Sequence, residues 1–403
     1  MINTLKNMLF KAYIQVVKGI SKLILAPKPL TLVGEGSVSK LGEMFSGSGW
    51  KKPLVMTDDI LLEIGVADSL KQSLENAEID YVIFDGVLPD PTYDIVNSAL
   101  DKVKTQGCDS VIALGGGSAI DAAKVVQLAA TNNKDPRKLA GMFKARKPGL
   151  PFVAIPTTAG TGSEVTMAAV ISESDSHKKT MVIDTKTVPD IAILDPQLHI
   201  KLPPAITAAT AMDALTHGVE AYLSTYKTKE TDAYALRAIK MILSNIEEAY
   251  QNGSNVVARE QLLLASYYAG LAFNRASLGY VHAIAHQLGA KYQVPHGVAN
   301  SMVLAYVTEF NSVSRQNLLA ELALETRLGS ASEGDSALAK NFIDKIRQLV
   351  VALHLPTTVD DLKESDINEL AKAAIKEAQV TPYPVPRIMS LGECENIIRK
   401  LLP

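Results

Sequence analysis

The spacing of apolar residues changes about halfway along this 403-residue chain. In the first half, short runs rich in β-branched residues recur, and each is apolar throughout, as in strands buried on both faces. These predicted strands are PLVMT (53–57), YVIFD (81–85), SVIAL (110–114), FVAIP (152–156) and IAIL (191–194). Amphipathic segments, predicted as helices, lie between several of them at 61–77, 92–106 and 118–130. This alternation predicts a parallel sheet covered by helices on both faces.

The second half, from Pro203 onward, has no strand-like runs. It contains long segments rich in Ala and Leu at 204–225, 229–250, 257–275, 297–310 and 335–353. Gly, Pro or Asn residues separate these segments, which is typical of an all-helical region. The break falls near residues 196–205. We therefore predict an α/β domain at 28–200 and an all-α domain at 201–403.

A basic segment at residues 1–27 precedes both predicted domains. Its apolar residues recur at helical spacing, and lysines interrupt the stripe that they form. A basic amphipathic helix of this kind packs on protein or lies on a membrane surface, and we favour packing on this chain or on a partner subunit. The lysines also argue against a secretory signal, which needs a continuous apolar stretch.

The composition excludes several classes of protein. Hydrophobic residues make up 47% of the chain and charged residues 21%, as in ordinary globular proteins. A net charge of −3 provides no basic field for nucleic acid. Two cysteines, Cys108 and Cys394, argue against a disulfide framework and predict a cytoplasmic location. No apolar run approaches the roughly 20 residues that a membrane span needs.

A glycine-rich turn follows the predicted strand SVIAL. Gly115, Gly116 and Gly117 allow backbone N–H groups to approach an anion closely. Ser118 is the predicted N-cap of the next helix, with Asp121 three residues later, so the glycines end at a helix N-terminus that favours phosphate. The alternative is a tight turn that binds nothing.

A second loop, IPTTAGTGSE (155–164), follows the next strand and carries several hydroxyl groups. Two such loops after neighbouring strands favour a dinucleotide over two structural turns. The usual Rossmann pattern is absent, because no G-x-G-x-x-G follows a strand. The best candidate for an acidic ribose contact, Asp58, precedes the glycines instead of following them.

The helical half concentrates histidines beside one aspartate. Asp213 and His217 are four residues apart, as are His282 and His286, so each pair shares one face of a helix. His296 follows in a predicted loop at the start of the next helix. A carboxylate with imidazoles suits a first-row divalent metal, although a simple Asp–His hydrogen bond is the commoner explanation of a single pair. Residue chemistry alone leaves open which three histidines bind the metal.

The motifs GGGSAID, PTTAGTGSEVT, MDALTH and GYVHAIAHQLG with VPHGVAN occur in the order found in one family. Together they closely resemble the iron-dependent (type III) alcohol dehydrogenases, and the likeness extends from about residue 30 to the C-terminus. The resemblance implies a Rossmann-like α/β domain of non-standard topology and an all-α C-terminal domain, as in dehydroquinate synthase. It also implies that metal and nicotinamide meet in a cleft.

The resemblance assigns a role to each motif residue. It implies that Asp213, His217, His282 and His296 bind the metal and that His286 is catalytic. It implies that the cofactor is bound by Gly115, Gly116, Gly117, Ser118, Asp121, Thr157, Thr158, Ser163 and Lys179. Asp58 matches the position whose carboxylate favours NAD over NADP by repelling a 2′-phosphate.

The chain departs from the family pattern in three places. Asp90 replaces the Asn that often precedes Pro-Thr, and it adds negative charge near the expected cofactor site. The sequence VPR at 385–387 stands where Asn-Pro-Arg is frequent. Residues 1–27 extend beyond the usual family start.

These features predict a metal-dependent alcohol dehydrogenase or aldehyde reductase. It would transfer hydride between a small primary alcohol or diol and NAD(H), with NADP(H) less favoured. The resemblance favours Fe²⁺, while Zn²⁺ or another divalent ion also suits the ligands. We expect a homodimer or larger homo-oligomer and no nucleic-acid partner. The alternatives are an NAD- and metal-dependent lyase or synthase on the same scaffold, or a non-catalytic metal-bearing scaffold protein.

Overall fold

The structure is a computed structural model that describes Gly19 and residues 26–175, 178–381 and 383–403. The predicted amphipathic helix at 1–27 therefore lies outside the described residues, apart from Gly19, Ala26 and Pro27. The chain falls into two units. One contains residues 26–202 and 253–267, and the other contains 203–252 and 268–403. The domain boundaries predicted above stay a prediction.

The first unit is built on a parallel sheet. Among the described residues its strands are β1 (Leu30–Val33), β2 (Pro53–Met56), β3 (Val82–Phe84), β4 (Ser110–Gly115), β5 (Gly141–Met142), β6 (Phe152–Pro156), β7 (Ala168–Ser172), β8 (Lys179–Ile183) and β9 (Ile191–Leu194). The main sheet has the order β1-β9-β6-β4-β2-β3, and its neighbouring strands are parallel. A smaller sheet has the order β5-β8-β7.

Helices cover both faces of the main sheet. They include α1 (Leu41–Ser48), α2 (Asp59–Glu63), α3 (Asp68–Asn76), α4 (Tyr93–Gln106) and α5 (Gly117–Asn132). Because successive side chains of a strand point to opposite faces, Leu54 and Met56 pack with residues of α4 and α5, whereas Val55 packs with residues of α1 and α3. The predicted α/β class, with its parallel sheet, is confirmed.

The second half of the chain is helical, as predicted. Its helices are α6 (Pro204–Leu223), α7 (Lys229–Gln251), α8 (Val256–Ala276), α9 (Tyr280–Tyr292), α10 (His296–Glu325), α11 (Asp335–Ala352), α12 (Ile367–Val380) and α13 (Leu391–Arg399). Residues 203–381 and 383–403 contain no β-strand. The backbone of α10 leaves helical geometry at Arg315, where φ is −134°.

The structure differs from the sequence predictions in several elements. The single helix predicted at 61–77 is two helices, α2 and α3, because the chain turns between them at Gly65 with φ +72°. Strands β1, β5, β7 and β8 were not predicted. Thr31 divides the apolar residues of β1, β5 has only two residues, β7 begins with two alanines, and β8 begins with Lys179 and Thr180. The helix after the glycine turn begins at Gly117, so its N-cap residue is Gly116, two residues before the predicted N-cap Ser118.

Helices α6 and α10 approach each other closely at Gly297, the second residue of α10. A Cβ atom at this position would lie 2.2 Å from the carbonyl oxygen of Ala209 in α6. Because that neighbour is backbone, it has no side-chain rotamer that relieves the overlap. Gly297 therefore allows the first turn of α10 to rest on the backbone of α6.

We expect Gly297→Ala to lower the free energy of unfolding by about 1–3 kcal/mol, because the added methyl group overpacks this crossing. Thermal and urea denaturation would measure the change. Gly392→Ala in α13 is the matched control, since a Cβ atom there meets nothing within 4 Å. We expect the control to be neutral or slightly stabilising, because Ala favours helix over Gly. Wild-type stability in Gly297→Ala would contradict the close crossing.

Candidate metal centre and nucleotide-binding loops

Four side chains from three helices converge in the helical unit. Asp213 and His217 lie one turn apart on α6, His282 lies on α9 and His296 begins α10. Asp213 Oδ1 is 3.9 Å from His217 Nε2, 3.8 Å from His282 Nε2 and 3.4 Å from His296 Nε2. Single ligand atoms of Asp213, His217 and His282 all lie within 4.8 Å of one another. His296 was predicted in a loop, but it is the first residue of α10 with Pro295 as its N-cap residue.

Burial and charge prepare these groups to act as ligands. Asp213, His217 and His282 are buried, whereas the His296 side chain is 37% exposed and borders the open side of the cluster. Burial alone would raise the pKa of Asp213, but the neighbouring histidines and a hydrogen bond from Asn300 lower it overall. Burial and the charges of His217 and His296 lower the pKa of His282 well below its usual range. An ionised carboxylate and neutral imidazoles are the forms that bind metal.

A buried carboxylate, Glu220, fixes the orientation of His282. Its oxygens accept hydrogen bonds from the backbone N–H groups of Gly279 (2.9 Å) and Val281 (2.8 Å), and Oε2 lies 2.6 Å from His282 Nδ1. With Nδ1 engaged, Nε2 faces Asp213. Burial raises the pKa of Glu220 to about 7. This carboxylate–histidine pairing is the usual support of a metal-binding imidazole.

Asn300 lies among the converging atoms. Its Nδ2 donates to Asp213 Oδ1 over 2.7 Å and lies 3.3 Å from His282 Nε2 and 3.2 Å from His296 Nε2. Its buried Oδ1 has no hydrogen-bond partner among the described residues. The His217 ring stacks on Phe273 with centroids 4.1 Å apart. Oxygen and nitrogen lone pairs thus crowd one small volume, an arrangement that fits a cation.

His286 lies beside the cluster and has its own carboxylate. Its ring centroid is 5.3 Å from that of His296 and 5.9 Å from that of His282. Its Nδ1 is 2.6 Å from Glu377 Oε1, which also accepts a hydrogen bond from the Tyr383 hydroxyl over 3.0 Å. These contacts engage Nδ1, and Nε2 is the ring nitrogen left for a proton or a substrate.

Sequence reasoning missed the residues that support the centre. Glu220 follows His217 by three residues, and Asn300 follows His296 by four, so helical spacing carried a signal for both. Glu377 and Tyr383 are more than 90 residues from His286, and no local spacing connects them. Only the packing of α12 reveals their role.

The two predicted nucleotide loops meet at the carboxyl ends of neighbouring strands. Gly115 ends β4 and accepts a hydrogen bond from Thr157 N over 3.0 Å. A Cβ atom at Gly116 would meet Thr158 Oγ1 at 3.2 Å, and one at Gly117 would meet Thr161 Cγ2 at 2.7 Å. The glycine turn therefore lies directly against the hydroxyl-rich loop.

The strand order places this turn at a topological switch point. From β2 the chain passes to β3 on one side, and it then returns to β4 on the other side. Ligands of open α/β sheets bind at the carboxyl ends of such diverging strands. Asp58, directly after β2, flanks the same point, and its Oδ1 caps α2 by accepting from Leu61 N over 2.8 Å.

The remaining predicted cofactor residues have other partners. Ser118 is the second residue of α5. Asp121 Oδ1 accepts a hydrogen bond of 2.5 Å from the Ser163 hydroxyl, so these two residues pair with each other. Lys179 begins β8, and its Nζ lies 2.6 Å from Asp90 Oδ1. The structure thus joins Lys179 to the turn at Asp90, and joins the glycine turn to the loop at Thr157.

Two family models together match most of the chain. The family model described as iron-containing alcohol dehydrogenase matches residues 29–196, and the model of the family's C-terminal part matches residues 207–402. Alcohol dehydrogenase 4 of Schizosaccharomyces pombe is 42% identical over 358 residues, which cover 88% of this chain and 83% of that protein. The chain belongs to the iron-containing alcohol dehydrogenase family.

Two further similarities agree with this family. The NAD-dependent methanol dehydrogenase of Bacillus methanolicus is 36% identical, with 93% of this chain and 98% of that protein covered. A crystal structure of 1,3-propanediol oxidoreductase superposes with a TM-score of 0.90 at 36% identity and covers 94% of this chain and 100% of that one. The predicted family, fold class, NAD-dependent alcohol dehydrogenase activity, and NAD(H) and iron as cofactors are confirmed.

Across the part of the chain that the structure describes, no helix combines the length and the apolar composition needed to cross a bilayer.

We expect Glu220→Gln to weaken divalent-metal binding by about 10- to 100-fold, the usual effect of losing a partner that orients a ligand. The amide keeps the size of Glu220 but removes the negative charge that faces His282 Nδ1. Competition with a fluorescent chelator would measure the affinity. Glu369→Gln on α12, whose side chain is 79% exposed, is the matched control. Equal metal affinity in wild type and Glu220→Gln would show that Glu220 does not support the metal.

Proposed function

We propose that Asp213, His217, His282 and His296 hold the divalent metal of this alcohol dehydrogenase. The observation that carries the proposal is that the Nε2 atoms of three imidazoles lie within 4 Å of one carboxylate oxygen, Asp213 Oδ1. Three imidazoles and one carboxylate suit Fe²⁺, and they also accept Zn²⁺, Mn²⁺ or Co²⁺. Zn²⁺ competes well for such sites, so the metal present after aerobic purification depends on metal supply.

The cofactor, in this proposal, lies on the loops at the switch point of the sheet. Backbone N–H groups at Gly115–Ser118 and the first turn of α5 face the pyrophosphate, where the helix dipole favours negative charge. Thr157 and Thr158 line the nucleotide from the adjacent loop. Asp58, at the end of β2, selects NAD(H) over NADP(H), and Lys179 contacts the ribose or the phosphates.

The chemistry divides between the bound groups and the protein. When bound, the metal lowers the pKa of an alcohol or polarises an aldehyde carbonyl, and the nicotinamide accepts or returns hydride. The protein orients both partners and excludes water. His286 takes up the alcohol proton at Nε2, while Glu377 holds Nδ1 and thereby sets the orientation of the ring.

The substrate class in this proposal is small primary alcohols and diols, with the corresponding aldehydes in the reverse direction. The names of two relatives support it, since methanol is a primary alcohol and 1,3-propanediol is a diol. We also propose a cytoplasmic homo-oligomer. Cys108 and Cys394 have free thiols, which suits a reducing compartment. The homo-oligomer is proposed from the resemblance to the family.

Metal dependence is the first test of this function. We expect metal-stripped protein, reconstituted anaerobically with Fe²⁺ and separately with Zn²⁺, to form NADH from NAD⁺ and a panel of primary alcohols and diols. The absorbance of NADH would follow turnover. His217→Ala should lose metal and lower turnover by more than roughly 100-fold, beyond the usual effect of an outer partner. It should leave the α/β unit folded by circular dichroism.

The control for this test is His354→Ala, because His354 is an exposed histidine outside the cluster. It should retain metal and turnover. Full activity in His217→Ala would contradict the proposed ligand set. Metal and NAD⁺ binding without NADH formation from any substrate would favour the lyase or scaffold alternatives.

Cofactor preference tests the role of Asp58. We expect Asp58→Asn to reduce the ratio of kcat/KM for NAD⁺ over NADP⁺ by about tenfold, because two like charges near a protein surface repel by about 1–4 kcal/mol. The amide oxygen still caps α2, so the backbone is preserved. Asp59→Asn is the neighbouring control. An unchanged ratio in Asp58→Asn would show that another group sets the preference.

A further inference from the structure

A lysine is fully buried behind the predicted nucleotide loops. Lys124 lies on α5, and its side chain is 0% exposed. Its Nζ donates to Ser163 Oγ over 2.8 Å, to Thr166 Oγ1 over 3.1 Å and to the carbonyl oxygen of Ala168 over 2.7 Å. An ammonium group has three N–H donors, so all three are used. Lysine is rarely buried unless its partners are fixed in this way.

Asp121, one turn earlier on α5, contacts the same segment. Its Oδ1 accepts from the Ser163 hydroxyl over 2.5 Å and lies 3.7 Å from Lys124 Nζ. Its Oδ2 accepts from the backbone N–H of Val170 over 2.9 Å. The Ser163 hydroxyl therefore receives a hydrogen bond from Lys124 and donates one to Asp121. Both sides of this hydroxyl are engaged within the protein.

These contacts make α5 hold the second loop at both ends. The loop starts at Thr157, whose N–H donates to Gly115 at the glycine turn that precedes α5. It ends in the segment 163–170, which Asp121 and Lys124 contact from about one and two turns into the helix, respectively. The hydroxyl-rich loop and the glycine turn are consequently fixed to a single rigid element.

Stability alone is a poor explanation for these buried charges. Replacing a buried ion pair by apolar side chains of similar volume is often neutral or stabilising, and most of the other buried residues of α5 are apolar. Burial lowers the pKa of Lys124 to about 8, an effect that the charge of Asp121 opposes. The pair instead fixes the orientation of the loop relative to α5, because hydrogen bonds of charged groups are directional.

We propose that Lys124, together with Asp121, is a positioning residue for the dinucleotide. It holds the hydroxyl-rich loop (155–164) against the glycine turn, so that both present their N–H and O–H groups to the pyrophosphate, and it does not itself touch the cofactor. Ser163 and Asp121, expected above to contact the cofactor, act in this scheme through the shape of the loop. The inference rests on the proposed nucleotide site, and it adds the element that keeps this site in shape.

The test compares cofactor binding with turnover in Lys124→Met, which keeps the apolar length of the side chain but removes the charge and all three donors. We expect the Kd for NADH, from nicotinamide fluorescence, and the KM for NAD⁺ to rise about tenfold or more, since hydrogen bonds from a charged group are lost. At saturating NAD⁺, kcat should stay within about threefold of wild type, because only binding is impaired. Metal content should not change.

Leu128→Ala is the matched control. It removes a fully buried side chain from the same helix without touching the loop, and it should lower the melting temperature while leaving the Kd for NADH unchanged. If Lys124→Met does not fold, Thr166→Val decides. It removes a hydroxyl that accepts from Lys124 Nζ at a residue not expected to contact the cofactor, and it should also raise the Kd for NADH.

The outcomes separate the two proposals. Wild-type protein that binds no NADH would overturn the proposed nucleotide site, and this inference with it. Wild-type protein that binds NADH, alongside a folded variant with the same Kd, would overturn the positioning role alone. A fall in kcat equal to the rise in KM would also overturn it, because the loop would then affect the chemical step as well as binding.

Discussion

The helical unit depends on how a buried group of lone pairs is compensated. Asp213 Oδ1 and three imidazole Nε2 atoms crowd together where water is largely excluded, and Asn300 contributes an amide donor among them. Electronegative atoms that face one another at such distances repel, and a bound cation would relieve the repulsion. Contacts on the far side of a ring keep it in this position, as the contact of Glu220 with His282 Nδ1 does. A cation bound here would therefore stabilise the folded helical unit, which links metal binding to the stability of this unit.

The α/β unit contains a buried charge that is compensated differently. Lys124 uses all three of its N–H donors within the protein, and Asp121 supplies the opposite charge. Each of these three hydrogen bonds is made within the described part of the chain. Buried polar groups therefore have two uses in this enzyme. In the two proposals above, the cluster at Lys124 fixes a loop, and the cluster at Asp213 holds a metal ion.

The sequence predicted the features that depend on local spacing. Apolar runs predicted five strands of the main sheet, and i,i+4 spacing predicted the pairing of Asp213 with His217 on α6. Features that depend on distant partners were missed. Strand β8 is recognisable only through its pairing with β7, and Glu377 only through the packing of α12 near His286. The break between α2 and α3 was also missed, because the apolar spacing continues across Gly65.

Asp90 shows how a partner distant in sequence changes the charge that a residue presents. In the sequence, its carboxylate adds negative charge near the expected cofactor site. In the structure, its backbone has a left-handed φ of +52°, and its carboxylate pairs with Lys179, 89 residues away. The two charges offset each other, although an exposed pair contributes little to stability. Asp58 instead caps α2 with a backbone N–H, which leaves its negative charge in place. The proposed discrimination against a 2′-phosphate therefore rests on the carboxylate of Asp58, while the carboxylate of Asp90 is offset by Lys179.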